Sequence, residues 1–237
     1  QKNPLQAAVD RKESGMKKLI ALCLSFLMLF ALLTGCGPKP DDCDADLTTE
    51  NPFDLITEKP VIYLYPEEET EVKITLSFKG KLTCTYPEYG SGWHVVAHPD
   101  GTLTEISSGK EYSYLFWEGI SDAEYDMSRG FVVKGEDTAE FLQEILTKLG
   151  LTPREYNEFI VFWLPKMQQN PYNLITFQEK CYTDSAVLDI TPKPDSVLRV
   201  FMAYRALNEP IEIEAPVILP FHRDGFTVVE WGGTEVR

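Results

Sequence analysis

Two short segments pair an indole ring with a carboxylate, a combination that proteins use to hold sugars. The sequence Trp-Glu-Gly occupies residues 117–119, and Glu-Trp-Gly-Gly occupies residues 230–233. The flat ring would pack on the C–H face of a sugar, and the carboxylate would accept its hydroxyl groups. Two acids on either side of one glycosidic bond would form the arrangement of a glycosidase. The two segments therefore indicate a glycan site, with Glu118 and Glu230 as the candidate acids.

A structural interpretation of the same residues competes with this one. Adjacent residues of a strand point to opposite faces, so each tryptophan can pack in the core while its glutamate faces water. Trp93, Tyr86 and Tyr89 would extend an aromatic platform on the first interpretation and the core on the second. We favour the structural interpretation, and the candidate ligand-binding residues of the other one are Trp93, Trp117, Glu118, Glu230 and Trp231.

The motif His-x-Asp-Gly occurs at residues 98–101 and 222–225. Imidazole and carboxylate together could bind a metal ion or act as a base. Asp-Gly between strand-like runs is a turn signal, however, and we favour turns. His94 and His98 would face the same side of a strand, but two ligands without a clear third do not make a metal site. We expect no metal and no cofactor, and without a nucleophile or phosphate-loop motif the catalytic residues stay unassigned.

Residues 16–36 have the order of a secretory signal. Met-Lys-Lys is followed by an apolar run of 15 residues at 19–33 and then by Thr-Gly-Cys. A membrane-spanning helix needs about 20 apolar residues, so this run is short for a span. The order of basic, apolar and small residues therefore predicts an exported protein.

The end of that signal, Leu-Thr-Gly-Cys at residues 33–36, resembles the lipobox of bacterial lipoproteins. The resemblance implies that the signal peptide at 16–35 is removed and that Cys36 carries a diacylglycerol thioether, with palmitate-type chains. Two acyl chains suffice for stable anchoring in a bilayer. The alternative is an uncleaved anchor in which Cys36 is an ordinary thiol. Both place the rest of the chain outside the cytoplasm, in the cell envelope.

The remaining sequence divides into three parts. We interpret residues 1–15 as an upstream non-native or artefactual segment, residues 36–58 as an acidic, proline-containing tether, and residues 59–237 as a single domain. The formal net charge of −15 would repel phosphate backbones and anionic headgroups. Nucleic acid is therefore excluded as a partner, and the domain should stand off the bilayer that holds its anchor.

Period-two alternation and turn signals predict short antiparallel strands in the first half of the domain. Residues 72–78 and 82–86 read as one hairpin, and residues 93–97 and 102–106 as a second. Strand-like runs also occur at 112–117 and 131–133 and, in the last third, at 186–190, 197–204, 211–213 and 226–231. These runs predict a β-rich body.

A period of 3.6 replaces this alternation in the middle of the chain. Asp137 reads as an N-cap and Gly150 as the end of a first helix, and Thr152 with Glu155 forms a capping box that begins a second. Residues 159–164 can continue that helix or begin a strand, and a turn at 170–173 favours a hairpin with 174–177. We predict an α+β fold, mainly antiparallel β and sandwich-like, with one helical insertion around residues 137–158.

Three cysteines lie beyond the signal and the lipobox. Cys43 falls in the tether, whereas Cys84 and Cys181 fall in strand-like runs. Extracytoplasmic thiols can oxidise, and a bridge between Cys84 and Cys181 is the natural choice if one exists. Buried free thiols are the alternative. We expect no essential disulfide.

The domain also resembles a family of uncharacterised extracytoplasmic proteins. The segments that carry this resemblance lie at residues 59–66, 82–87, 112–119 and 226–233. The resemblance implies no activity and transfers no functional residues. We expect a binding or envelope-interaction module whose partners are the bilayer, through Cys36, and a glycan or another envelope component. A hydrolase of glycans or peptides that uses Glu118 and Glu230 is the alternative.

Substituting Cys36 tests the anchor. We expect Cys36→Ala to abolish acylation, because only this thiol follows a lipobox-like run. Metabolic labelling with a fatty-acid probe measures it, and Cys43→Ala is the matched control, which should label like the native protein. Equal labelling of the Cys36→Ala variant would contradict the lipoprotein assignment.

Overall fold

The structure, a computed structural model, describes residues 55–237. The upstream segment, the signal, Cys36, Cys43 and most of the tether lie outside the described residues. The first strand starts at Leu55, within the residues 36–58 that the sequence analysis assigns to the tether. The strands in chain order are β1 (Leu55–Tyr65), β2 (Thr70–Phe78), β3 (Lys81–Tyr86), β4 (Trp93–Ala97), β5 (Leu103–Glu105), β6 (Glu111–Tyr112), β7 (Leu115–Ser121), β8 (Phe131–Lys134), β9 (Tyr172–Gln178), β10 (Ala186–Thr191), β11 (Ser196–Leu207) and β12 (Thr227–Glu235).

The α-helices of the described residues lie in the second half of the chain. They are α1 (Thr138–Leu149), α2 (Pro153–Met167) and the single turn α3 (Lys180–Thr183). None of the helices within residues 55–237 combines the length and the apolar character that crossing a bilayer requires. Helices inserted among many strands confirm the α+β, β-rich class.

The strands form two sheets. The larger sheet has the order β3-β7-β1-β12-β11-β9-β8, and the smaller has the order β10-β2-β4-β5-β6. Neighbouring strands are antiparallel except β11 and β12, which are parallel. The last strand, β12, therefore lies between β1 and β11 in the middle of the larger sheet.

Each face of the larger sheet has its own apolar core. The helix-side core contains side chains of α1, α2 and this sheet, among them Leu142, Phe159, Trp163, Val229 and Trp231. The inter-sheet core contains side chains of both sheets, among them Ile62, Val228, Ile74 and Val95. A strand covered on both faces has no wet side, which explains why β12 is buried from Thr227 to Thr234.

The predicted hairpin of residues 72–78 with 82–86 is wrong. Strand β2 pairs with β4 and β10, whereas β3 pairs with β7 in the other sheet. The chain crosses between the sheets at Gly80, where a Cβ atom would lie 2.4 Å from the carbonyl oxygen of Ile120. Alternation reports a strand with one wet face, but it carries no information on which strand lies beside it.

The second predicted pair is confirmed. Strands β4 and β5 are antiparallel neighbours. His98 and Thr102 close the turn through an N–H···O bond of 2.9 Å, and Gly101 has φ of +87°. The His-x-Asp-Gly motif at 98–101 is therefore a turn, as the Asp-Gly signal indicated.

The helices differ from the predicted insertion in their extent. The first helix ends at Gly150 with φ of +104° as predicted, although the Asp137 side chain makes no capping bond. Residues 159–164 do not pair with 174–177, because α2 continues to Met167 and buries Phe159, Trp163 and Met167 along one stripe. Residues 211–213 form no strand. The predicted strands at 159–164 and 211–213 are therefore both wrong.

The connection from β11 to β12, residues 208–226, is held to α2 by a buried ion pair. Glu155 is fully buried and accepts from Arg223 Nη1 at 3.0 Å and Nη2 at 2.5 Å. The same carboxylate accepts from the N–H of Thr152 at 2.7 Å, and Arg223 Nη2 also donates to the Gly150 carbonyl at 2.8 Å. The predicted capping glutamate thus also fastens the long connection.

Cys84 and Cys181 are free and exposed. Cys181 lies in α3 rather than in a strand. The structure therefore contains neither the Cys84–Cys181 bridge nor buried thiols at these two positions.

Thermal unfolding tests the role of these thiols. We expect the melting temperature to be unchanged by reductant, because the apolar cores and not a covalent link hold the two sheets. A bridge closing so long a loop would contribute about 4 kcal/mol. The double variant Cys84→Ser, Cys181→Ser is the control. A drop of many degrees on reduction that is absent from this variant would contradict the expectation.

Candidate functional site

The register of β1 against β12 separates Glu230 from Trp231. Ile62 lies opposite Glu230, and Val61 lies opposite Trp231. Ile62 belongs to the inter-sheet core and Val61 to the helix-side core. Directly opposed residues share a face, so Glu230 faces the smaller sheet and Trp231 faces the helices.

The other tryptophan–glutamate pair is divided in the same way. Trp117 belongs to the inter-sheet core, so its neighbour Glu118 points to the helix side of the sheet. Glu118 and Glu230 therefore lie on opposite faces of one sheet. The structure brings Trp117 and Glu230 together but does not bring the two carboxylates together, and they cannot flank one bond.

Glu230 is the acceptor of a buried polar cluster. Its side chain is fully buried and accepts from Trp117 Nε1 at 3.1 Å and from Arg199 Nε at 2.6 Å. The Arg199 guanidinium lies 4.7 Å from the ring centroid of Tyr182, which stacks on Phe201 at 4.0 Å. A carboxylate with both oxygens occupied and no exposed surface has a structural role here.

The ionisation of this cluster follows from burial and charge. Burial alone would lower the pKa of Arg199, but the Glu230 carboxylate raises it above its ordinary value. Burial and then the Glu230 charge raise the pKa of the Tyr182 hydroxyl well above its ordinary value. Arg199 is therefore a cation and Tyr182 is neutral near neutral pH.

The three candidate tryptophans are not presented to solvent. Trp117 and Trp231 are fully buried, and Trp93 is 2% exposed with its indole N–H donated to the Pro87 carbonyl at 3.0 Å. Tyr89 bonds the backbone of β2 through its hydroxyl, whereas Tyr86 is 62% exposed. The predicted aromatic platform is thus divided between two cores and the surface. Of the five candidate ligand-binding residues, Glu118 is the one whose side chain is partly exposed.

The histidines do not converge either. His94 Nε2 lies 2.6 Å from Glu71, and His98 Nδ1 lies 3.6 Å from a different carboxylate, Glu69. Within residues 55–237 no three histidine, cysteine or acidic side chains are placed to hold one metal ion.

Sequence reasoning missed the residue that stands out most on the helix side. The pairing of β1 with both neighbours slips just before Val61, and Lys59 sits in this bulge with φ of +61°. A side chain at positive φ costs about 1–2 kcal/mol, which is why such positions usually hold glycine. Strained residues cluster at functional sites, so the outlier motivates a functional hypothesis. We call this region the Lys59 bulge.

The bulge connects directly to Glu118. The backbone N–H of Lys59 donates to Glu118 Oε1 at 3.3 Å. The following residue, Pro60, packs on Gly232, where a Cβ atom would lie 2.9 Å from the proline ring. Gly232, which follows Glu230 and Trp231, therefore leaves the space that Pro60 occupies.

The Lys59 ammonium lies over aromatic rings. Its Nζ atom is 5.0 Å from the ring centroid of Tyr114, 5.4 Å from that of Phe116 and 5.9 Å from that of Trp231. Its polar contact is the Tyr114 hydroxyl at 3.5 Å. Among residues 55–237 no carboxylate lies within 4.0 Å of this cation. Cation–π contacts therefore hold the ammonium without neutralising it.

A second cation lies beside the bulge. Lys166, near the end of α2, pairs with Glu58 and lies 4.8 Å from the ring of Phe162 and 5.3 Å from that of Trp163. The two lysines thus approach the sheet from β1 and α2, each over aromatic rings.

Several buried donors near the bulge have no acceptor. The indole N–H groups of Trp163 and Trp231 and the hydroxyl of Tyr204 make no hydrogen bond to the described part of the chain. Trp231 flanks the Lys59 ammonium, and Trp163 packs on Gly233, the cross-strand partner of Glu58. These donors are enclosed by protein and out of a ligand's reach. The Lys59 ammonium, which pairs with no carboxylate of residues 55–237, favours a ligand that brings an acceptor oxygen.

No sequence motif signals this site. Lys59-Pro60 has the appearance of an ordinary entry into a β-strand, since nothing local encodes a positive φ at a lysine. The rings over its ammonium are those of Tyr114 just before β7, Phe116 in β7 and Trp231 in β12, which lie 55, 57 and 172 residues further along the chain. Only the tertiary pairing assembles them.

Comparison with known proteins gives one similar protein of unassigned role. A protein of Butyrivibrio fibrisolvens, described as "Uncharacterized protein in bglA 3'region", is 40% identical over 106 residues. The match spans 44% of this chain and 96% of that protein. No protein-family model matches the chain, and no solved structure matches it.

The two glutamates should differ sharply in their effect on stability. We expect Glu230→Gln to lower the free energy of unfolding by about 3–5 kcal/mol, because the Arg199 cation would be left buried without its counter-charge. Glu118→Gln, the matched control, keeps an acceptor for the Lys59 N–H and should change it by less than about 1 kcal/mol. Urea unfolding measures both, and equal effects would contradict the structural role of Glu230.

Proposed function

Because this chain belongs to the same family as the uncharacterised Butyrivibrio fibrisolvens protein, we propose its function from its own residues. The protein is a lipoprotein anchored outside the cytoplasm, and its domain is a binding module for an envelope glycan. The observation that carries the binding role is the Lys59 bulge, where a strained backbone supports an ammonium over three aromatic rings, with no carboxylate of residues 55–237 paired to it. Such strain persists only where the surrounding structure fixes it.

The anchor in this proposal is the acylated Cys36. The lipobox-like end of the signal supports it, and two acyl chains hold a protein stably in a bilayer. The acidic tether keeps the domain away from like-charged headgroups, because the chain has a net charge of −15. The domain that it presents is sandwich-like in this proposal, since both sheets contribute side chains to the inter-sheet core.

The chemistry of the bulge favours a sugar with acidic or acetamido groups. The Lys59 ammonium would donate to a carboxylate or carbonyl oxygen of the ligand, and the partly exposed rings of Tyr114 and Phe116 would pack on its C–H groups. Glu118 lies next to the bulge and would accept a ligand hydroxyl. One cation, one anion and aromatic carbon surface together match the groups of an envelope glycan.

The hydrolase alternative has less support. Glycoside hydrolysis usually needs two carboxylates on either side of one bond. Glu118 and Glu230 lie on opposite faces of the sheet, and Glu230 is fully buried. The other glutamate beside the bulge, Glu58, is paired with Lys166, so binding without bond cleavage accounts best for the residues present.

Substituting Lys59 by glycine separates ligand binding from folding. Glycine adopts positive φ freely, so Lys59→Gly should leave the free energy of unfolding unchanged or higher while it removes the ammonium. We expect the affinity for acidic or acetamido-bearing peptidoglycan fragments to fall at least tenfold, as measured by titration calorimetry.

Lys73→Gln is the matched control, because it removes an exposed lysine from the smaller sheet. It should bind these fragments like the native protein. Native-like binding by Lys59→Gly, or no binding of any fragment by the native protein, would contradict the proposed site.

A further inference from the structure

A groove lies along the free edge of the larger sheet. Strand β8 is the last strand at this edge, and the connection after β11 runs beside it. Two adjoining parts of the groove have volumes of about 570 Å³ and about 450 Å³. Both parts are lined by Val132, Val133, Phe141 and Ile211.

The backbone of β8 has unused hydrogen-bonding groups in this groove. The N–H of Gly130 points away from β9 and donates to the Glu214 carbonyl at 3.0 Å, whereas the N–H of Gly135 points toward Pro171, next to β9. Because backbone groups of a strand alternate in direction, the N–H and C=O of Val132 point outward like those of Gly130. Among the described residues, the isolated bridge between the connection and this edge joins Glu214 to Arg129, which lies just before β8.

The rim of the groove is acidic. Asp137, Glu140 and Glu144 line one part and Glu212 lines the other, whereas the one lysine of the lining, Lys134, lies 3.7 Å from Glu136. An apolar floor with an acidic rim complements a segment that carries both apolar and basic side chains. The same rim would repel the acidic tether of this chain, which is rich in aspartate.

We propose that this groove binds an extended basic segment of a partner protein, which adds to the larger sheet as a strand beside β8. The backbone groups of Val132 would bond the incoming strand, and its alternate side chains would reach the apolar floor and the acidic rim. This protein-binding site is independent of the Lys59 bulge, because it involves the edge strand β8 and different residues, whereas the bulge lies on the inner strand β1.

A peptide in which lysine and valine alternate over seven residues serves as the probe. We expect the full chain in detergent micelles to bind it, with an affinity that falls as salt rises, as measured by fluorescence anisotropy. N-methylation of the peptide on one alternate set of amides should weaken binding at least tenfold, whereas methylation of the other set should have little effect. One edge of an added strand faces β8 and the other faces away from it.

Variants of Val132 test the same contact from the protein side. Val132→Pro removes the outward N–H and should weaken binding at least tenfold, since proline is tolerated where an edge N–H faces outward. Val132→Thr keeps the N–H and the β-branched shape and should bind like the native protein. If Val132→Pro fails to fold, the comparison of the two methylated peptides still tests whether the peptide adds as a strand beside β8.

Three outcomes would overturn the inference. They are no binding of the lysine–valine peptide, equal effects of the two methylation patterns, and tighter binding of a peptide with the sequence of residues 37–54. The last result would make the chain's own tether the occupant of the groove.

Discussion

The central strands of the larger sheet are covered on both faces, and this constraint determines where every side chain on them can go. Successive residues of β12 must alternate between the inter-sheet core and the helix-side core. Val228 and Val229 satisfy this simply because both are apolar. Glu230 must also enter a core, since no position on the strand between Thr227 and Thr234 faces water. The buried polar contacts between the two sheets are therefore arranged around Glu230.

A carboxylate buried in this way needs a cation and hydrogen-bond donors within reach. The parallel pairing of β11 with β12 supplies them, because it places Arg199 directly opposite Glu230. Trp117 completes the coordination from the other side of β1. Desolvating two charges is expensive, so such a pair contributes little net stability while making any loss of one partner costly. The cluster therefore specifies which strands lie together more than it strengthens the fold.

The sequence predicted the elements whose signals are local, and it failed where residues far apart in the chain determine the structure. The first helix was predictable because Gly150 and the stripe ending at Leu149 are local features, and so was the turn that joins β4 to β5. The hairpin of β2 with β3 was predicted wrongly because neighbouring strands in sequence belong to different sheets. The length of α2 was missed because the turn signal at 170–173 favoured a hairpin of residues 159–164 with 174–177.

The candidate site shows the same limit more sharply. The sequence identified Glu118 and Trp231, which both lie at the Lys59 bulge, but it grouped them with Trp117 and Glu230, which face the other core. Only the register of β1 against β7 and β12 shows that the two residues of each tryptophan–glutamate pair face different cores. Lys59 itself has an unremarkable context in the sequence, and its strain exists only because Val61 and Pro60 are fixed by strands far away in the chain.

The central position of β12 also determines the order in which the domain can be assembled. Without this strand the larger sheet consists of two halves, β3-β7-β1 and β11-β9-β8, which share no strand pairing. Each half would expose a long apolar edge, and neither core would be closed. A ribosome that has not yet made residues 227–235 therefore holds a chain that cannot complete its fold. The larger sheet can be completed only after synthesis of β12, through pairing between residues about 170 positions apart, and contacts of such long range favour slow folding.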